Sequence, residues 1–276
     1  MIKLVIDSTA DLTAQEAKDL GVTVIPMKVC INEKEYLAGV NLDDETFFSL
    51  LKTCKNLPHT TQINQDEYIN TIKPILDNGD EVFVMALSSG LSGSFNSLRL
   101  ASEELNSPNL EIFDTKTVTL GYKVLVYEAV KLINKGLSLE EIKTQMETLR
   151  EKCRLMAVID NVKYLIKGGR LSLIAGIAVT ALNIKPIVHI VDGKLKVLSK
   201  AIGYNNALKT LIKHINNIDL EKEISLGHSN DRKRFFEMKQ DLQNNFKINQ
   251  DRIDEIGPVI GTHVGPGCFG LAYIEK

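Results

Sequence analysis

Three short stretches of the 276-residue chain concentrate hydroxyls, amides and glycine, the groups that hold an anion without a metal. Leu87-Ser-Ser-Gly-Leu-Ser-Gly-Ser-Phe-Asn-Ser97 follows an apolar strand pattern, Glu81–Leu87, and opens a helical one, Ser94–Leu105. A helix start at the end of a parallel strand offers unpaired N–H groups and a partial positive charge, and small residues there let an anion reach them. His59-Thr-Thr-Gln62 adds two hydroxyls and an amide, and Ile256–Gly270 sets Thr262 and His263 among Gly261, Gly265 and Gly267. Gathered by the fold, the three would form a neutral cradle for a phosphate or a carboxylate.

Named phosphate and nucleophile motifs are not met. Walker A requires a Lys that this loop lacks, and Gly90-Leu-Ser-Gly-Ser94 brings its second glycine one position too early for a nucleophile elbow. Each stretch also has a plain structural reading: Ser and Gly cap helices and make turns, and Thr60 and Thr61 after Pro58 suit a turn and cap. Lys167-Gly-Gly-Arg170 places two cations on a turn that suits an anion, a partner surface or solvent alone. The helical pattern Thr119–Leu132 is apolar around most of its circumference, which means burial in a core or lining for an apolar ligand.

The elements that must position these groups alternate through the first half. Strand patterns at Lys3–Ile6, Val22–Ile31, Glu81–Leu87 and Leu110–Phe113 are interleaved with helical ones at Thr13–Leu20, Asp44–Cys54, Gln65–Asp77, Ser94–Leu105 and Val118–Asn134. That alternation predicts a mostly parallel sheet with helices on its faces, and puts Asp7-Ser-Thr and Asp114-Thr-Lys-Thr on the same rim as the Ser92 loop. A helix over Ser138–Cys153 leads to a second unit: strand Leu155–Ile159, a short apolar helix at Ile174–Leu182, and a hairpin turning on Asp192-Gly193. Helix Asn205–Asn216, strand Ile224–Gly227, helix Arg232–Asn245 and strands Val259–Thr262 and Gly270–Ile274 complete it. The expected fold class is α/β, with an N-terminal mostly parallel α/β domain at 1–153 and a C-terminal α+β mixed-sheet domain at 154–276.

With 44% hydrophobic and 25% charged residues the chain can build an ordinary core, and a net charge of −2 lacks the footprint of a nucleic-acid binder. Cys30, Cys54, Cys153 and Cys268 have neither zinc nor disulfide spacing and read as reduced thiols, and the five histidines form no metal pattern. Met1–Asp7 reads as a strand rather than a secretory leader, and no apolar run reaches membrane-spanning length. A cytoplasmic protein with no membrane segment is expected.

Taken in order, Asp7-Ser-Thr-Ala-Asp-Leu12, Thr60-Thr-Gln62, Leu87–Ser94, Asp114-Thr-Lys-Thr117, Lys167-Gly-Gly-Arg-Leu-Ser172, Ile184-Lys-Pro-Ile187 and Gly261-Thr-His-Val-Gly-Pro-Gly267 closely resemble the DegV family of bacterial fatty-acid-binding proteins. The resemblance implies a long-chain fatty acid in a tunnel between the two domains, its carboxylate held by Thr60, Ser92 and His263. Thr61, Gly93, Arg170 and Thr262 are secondary candidates. It implies a carrier without catalytic residues, metal or cofactor, the acyl-binding subunit of a fatty acid kinase whose separate ATP-binding subunit makes an acyl-phosphate for phospholipid synthesis. The chain departs from the family's usual Thr-Ser-Gln-Pro with Thr60-Thr61-Gln62-Ile63, and has Ile202 and Leu173 where some kinase-partner members carry basic residues. Two rival readings remain at this stage: an enzyme on a small phosphate or carboxylate using the Ser92 loop and His263, and a lipid-sensing regulatory module.

Overall fold

A computed structural model describes residues 1–170, 183–248 and 252–276. In chain order the N-terminal part runs β1 (Ile2–Asp7), α1 (Ala14–Leu20), β2 (Val22–Ile25), β3 (Lys28–Ile31), β4 (Lys34–Leu37), α2 (Asp44–Thr53), β5 (His59–Thr61), α3 (Gln65–Asp77), β6 (Glu81–Ala86), α4 (Ser94–Leu105), β7 (Leu110–Asp114), α5 (Thr119–Asn134) and α6 (Leu139–Lys152). Its main sheet is parallel in the order β2-β1-β6-β7, so the loops after β1, β6 and β7 share one rim. Capping boxes at Thr13/Glu16, Asn64/Glu67 and Ser138/Glu141 fix the starts of α1, α3 and α6 by satisfying N–H groups that have no partner inside the helix.

The apolar run Val22–Ile31, expected as one strand, is two. Pro26 separates them, and the Met27 N–H donates to Ser8 Oγ, so the chain leaves the parallel sheet after β2. β3 instead joins a small antiparallel sheet, β4-β3-β5, in which Thr60 lies opposite Val29. Thr60 and Thr61 are therefore strand residues, and the cap of α3 is Asn64.

The C-terminal part continues through β8 (Cys153–Val158), α7 (Lys163–Lys167), β9 (Ile184–Val191), β10 (Lys194–Ile202), α8 (Tyr204–Lys213), β11 (Ile224–His228), α9 (Arg232–Phe246), β12 (Asp254–Glu255), α10 (Pro258–Val264) and β13 (Phe269–Ile274). These strands form a mixed sheet, β10-β9-β8-β13-β11-β12, in which only the β11–β12 pair is parallel. Asp192 and Gly193, at φ 52° and 74°, make the two-residue hairpin turn expected of Asp-Gly. The expected strand at Val259–Thr262 is instead the helix α10. Pro258 sits at its start where a missing N–H costs nothing, and Gly265 ends it at φ 71°. The expected helix Ile174–Leu182 lies outside the described residues.

Alternation along β8 divides the interior. Leu155 and Ile159 join the larger core, made with α5 and the parallel sheet, while Met156 and Val158 face a second core under α8 and α9. The mixed sheet is thus covered on both faces, and its inner face meets the rim of the parallel sheet.

Candidate ligand-binding site

Between that rim and the inner face of the mixed sheet lies a cavity of about 230 Å³. One end is polar, lined by Thr60, Gln62, Ser92, Gly93, Arg170 and His263. The remainder is apolar: Leu155, Ala157 and Ile159 come from alternate positions of β8, and Val188, Ile190 and Leu195 from the β9–β10 hairpin. Among the described residues that line it, none carries a carboxylate, and Arg170 is the permanent cation.

Ser92 is placed by braces at two strand ends. Asp7, fully buried at the end of β1, accepts the Leu87 N–H at 2.8 Å, and Asp114, at the end of β7, accepts the Ser89 N–H at 3.2 Å and the Lys116 N–H at 2.9 Å. The Asp7-Ser-Thr and Asp114-Thr-Lys-Thr stretches therefore hold the loop from either side. Burial raises the Asp7 carboxyl above its usual range against the hydrogen bonds from Thr9, Leu87 and Tyr122. Beyond the braces, Gly93 packs where a Cβ would collide with Gln62 Oε1, while the Gln62 amide donates to Ser97 Oγ at 3.2 Å. Ser92 Oγ accepts the Ser94 N–H at 3.2 Å and lies 3.0 Å from Ser94 Oγ. Ser94 Oγ already accepts the Ile63 N–H, which leaves its own hydrogen for Ser92.

Thr60 and His263 meet from opposite ends of the chain, with Thr60 Oγ1 and His263 Nε2 3.0 Å apart. The imidazole is 9% exposed, and its Nδ1 has no hydrogen-bond partner among the described residues. Gly168 lies against that nitrogen so closely that a Cβ would collide with it. A buried N–H without an acceptor is rarer than a bare acceptor lone pair, so the favoured tautomer carries its hydrogen on Nε2 and donates it to Thr60. Burial, with the Arg170 guanidinium adding to it, pushes the imidazole pKa down to about 4, so the ring is neutral at pH 7. Both hydroxyls then receive a hydrogen from the protein, leaving their own O–H free to donate into the cavity.

Arg170 is half-buried, donates to the Gly168 carbonyl at 2.6 Å, and has its pKa lowered by that burial. Thr61, facing the other way from Thr60 on β5, is exposed, and the buried Thr262 hydroxyl donates to the Pro258 carbonyl at 2.8 Å inside α10. Neither lines the cavity. Gly168 as the seat of His263 and the small Ala157 in the cavity floor were not singled out from sequence. The Gly-Gly of Lys167–Arg170 was the available signal for the first, and the period-two pattern of β8 for the second. Cys268 also lines the cavity, its thiol pushed up to about 12 by burial. Among the described residues no cluster of His, Cys, Asp or Glu has metal-binding geometry, and no helix is long and apolar enough to cross a membrane.

Residues 1–276 match the family described as "Uncharacterised protein, DegV family". A DegV domain-containing protein of Caldanaerobacter subterraneus is 32% identical over 100% of this chain and 99% of its own. Among solved structures, a DegV family protein from Thermus thermophilus, described by its fatty acid binding, superposes with a TM-score of 0.88 at 25% identity. It covers 100% of this chain and 99% of its own. DegV of Bacillus subtilis, described as a fatty acid binding protein, gives 0.88 at 26% identity with the same coverage.

Proposed function

The chain belongs to the DegV family, and from that premise we propose that it carries one long-chain fatty acid, carboxylate at the polar end of the cavity and tail along the apolar remainder. The observation that carries this reading is the union, in one cavity, of an apolar corridor with a polar end that holds hydroxyl donors and a guanidinium and, among the described residues, no carboxylate. Thr60 Oγ1–H, Ser92 Oγ–H and the Gly93 N–H at the start of α4 donate to the two carboxylate oxygens, and Arg170 balances the charge. His263 acts through Thr60, holding its hydroxyl as a donor. About 14 methylenes at about 0.8 kcal/mol each offer roughly 11 kcal/mol of gross burial, above association costs of several kcal/mol. The tail supplies affinity, and the donors remove the penalty of desolvating the head.

In this reading the protein performs no chemistry of its own. It works in the cytoplasm and presents the acid to a separate kinase subunit, where a carboxylate oxygen attacks the γ-phosphorus of ATP and ADP leaves. The product acyl-phosphate feeds phospholipid synthesis. Gln62, exposed at the polar end, marks the side from which such a partner reaches the carboxylate. A neutral buried imidazole already bonded to Thr60 is poorly suited to acid–base work on a small substrate, which disfavours the enzyme alternative.

Native mass spectrometry tests the carrier reading. Protein purified from bacteria is expected to carry fatty acid at one per chain, and delipidated protein to rebind it. Ser92→Ala and Thr60→Val each weaken binding by about tenfold or more, the worth of a hydrogen bond to a charged group. Delipidated protein that takes up no fatty acid sinks the proposal.

A further inference from the structure

Ser88 is fully buried yet lies outside the polar cradle. Its hydroxyl donates to the carbonyl of Gly193, at the tip of the β9–β10 hairpin, at 2.6 Å, and accepts the Gly90 N–H at 3.2 Å. A Cβ on Gly90 would collide with that same carbonyl, so the tip sits directly on the backbone of the loop that holds Ser92. Between the tip and β8 the hairpin is held by side-chain packing of Ile190, Leu195 and Val197 rather than by backbone pairing to a third strand. β10 is an edge strand, and β9 pairs with β8 at only three positions, Ile187, Val188 and His189. Opposite Val188 and Ile187, within that short pairing, the register of β10 slips between Val197 and Ser199, a bulge of the kind at which strands bend. Beyond the bulge, Ile190 and Leu195 form a wall of the cavity.

We propose that the β9–β10 hairpin is a hinged wall, bending at the Val197–Ser199 bulge, and that the Ser88–Gly193 hydrogen bond is the latch that keeps it shut over the bound acyl chain. Release of the tip opens the side of the corridor at the expense of the Val188–Ala157 and His189–Met156 pairs, while the parallel sheet and the β8–β13 and β13–β11 pairs stay intact. A fatty acid too long to thread past the polar loops then enters and leaves sideways. The proposal rests on the carrier reading for its ligand, but the latch itself is a property of the protein alone.

Two variants and two readouts test it. Ser88→Ala is expected to speed both uptake and release of the fluorescent fatty acid cis-parinaric acid about tenfold, or about 1.4 kcal/mol, with equilibrium affinity unchanged within twofold. In ligand-free Ser88→Ala, hydrogen exchange at the hairpin amides 188–195 is expected to quicken about tenfold while β13 is unchanged. For the reverse test, a Cβ on Gly193 would lie 3.6 Å from Lys116 Cβ, within disulfide range, though only 2.6 Å from Ser88 Oγ. The triple variant Ser88→Ala/Lys116→Cys/Gly193→Cys removes that clash; oxidised, it is expected to exchange ligand at least tenfold more slowly than the same protein reduced. Wild-type exchange rates in Ser88→Ala, or equal ligand exchange in the oxidised and reduced forms, overturn the latch. A wild-type protein that binds no fatty acid overturns the carrier reading instead, and the amide exchange still decides the latch.

Discussion

His263 shows how much of the site a single residue determines. Its ring is held between Thr60 and Gly168, and the lack of an acceptor at Nδ1 selects the tautomer that turns Thr60 into a donor. The depressed pKa has a signed consequence. Between the ordinary value of 6.5 and about 4 the unfolded chain holds a proton that the folded chain does not, so stability is complete above about pH 6.5 and falls as the pH drops toward 4. The full loss is about 3 kcal/mol. Urea denaturation at pH 7 and pH 4 is therefore expected to show wild type losing about 3 kcal/mol more than His263→Gln over the interval. Equal losses would mean that the imidazole titrates alike in the folded and unfolded chains. Its glycine-rich surroundings marked His263 in the sequence, but its role depends on Thr60, 203 residues away, and no local pattern encodes such a contact.

At the scale of elements, α10 is the instructive case. Gly261 faces α2 so closely that a Cβ would lie 2.7 Å from Phe47 Cε1 and 3.2 Å from Phe48 Cζ. Gly261→Ala is expected to lift α10 from α2, cost about 1–3 kcal/mol and weaken fatty acid binding by displacing His263 from Thr60. Urea denaturation and ligand titration read the two effects, and wild-type values in both would mean that α10 is not seated through this glycine. Val259, Ile260 and Thr262 favour a strand by intrinsic preference, whereas Pro258 at the start and Gly265 at the end are the local signals that fit the helix. Helix α5 hides a second lesson. Its apolar circumference was legible, but Lys123 within it is 2% exposed and bonded to Asp254 Oδ1 at 2.8 Å and Glu16 Oε1 at 2.9 Å, tying the two parts of the chain together. Lys123→Met leaves the buried Asp254 and the partly buried Glu16 short of a partner and is expected to cost about 3 kcal/mol in urea denaturation. A loss below about 1 kcal/mol would show that Arg252, 2.7 Å from Asp254, compensates.

At the scale of the molecule, the parallel sheet followed from strand and helix alternation, and the mixed sheet from the hairpin and the change in pattern after it. The cavity did not, because its walls come from alternate residues of strands that pair only in the folded chain, and its polar end from β5, the Ser92 loop, the Arg170 turn and α10, far apart in sequence. A ligand bound at 100 times its Kd adds about 2.7 kcal/mol to stability, so saturating fatty acid is expected to raise the melting temperature by about 5–10 °C. An unchanged melting temperature would mean that the acid binds native and unfolded chains alike. Leu155, Ile159 and Val188 belong at once to the cavity wall and to the larger hydrophobic core. If the protein carries a fatty acid as proposed, unloaded copies lack part of their packed interior, and proteases, which act on whatever unfolds most often, will clear them first. On that reading the abundance of the protein would follow lipid supply, and a shortened half-life during lipid starvation is the form in which that coupling is measured.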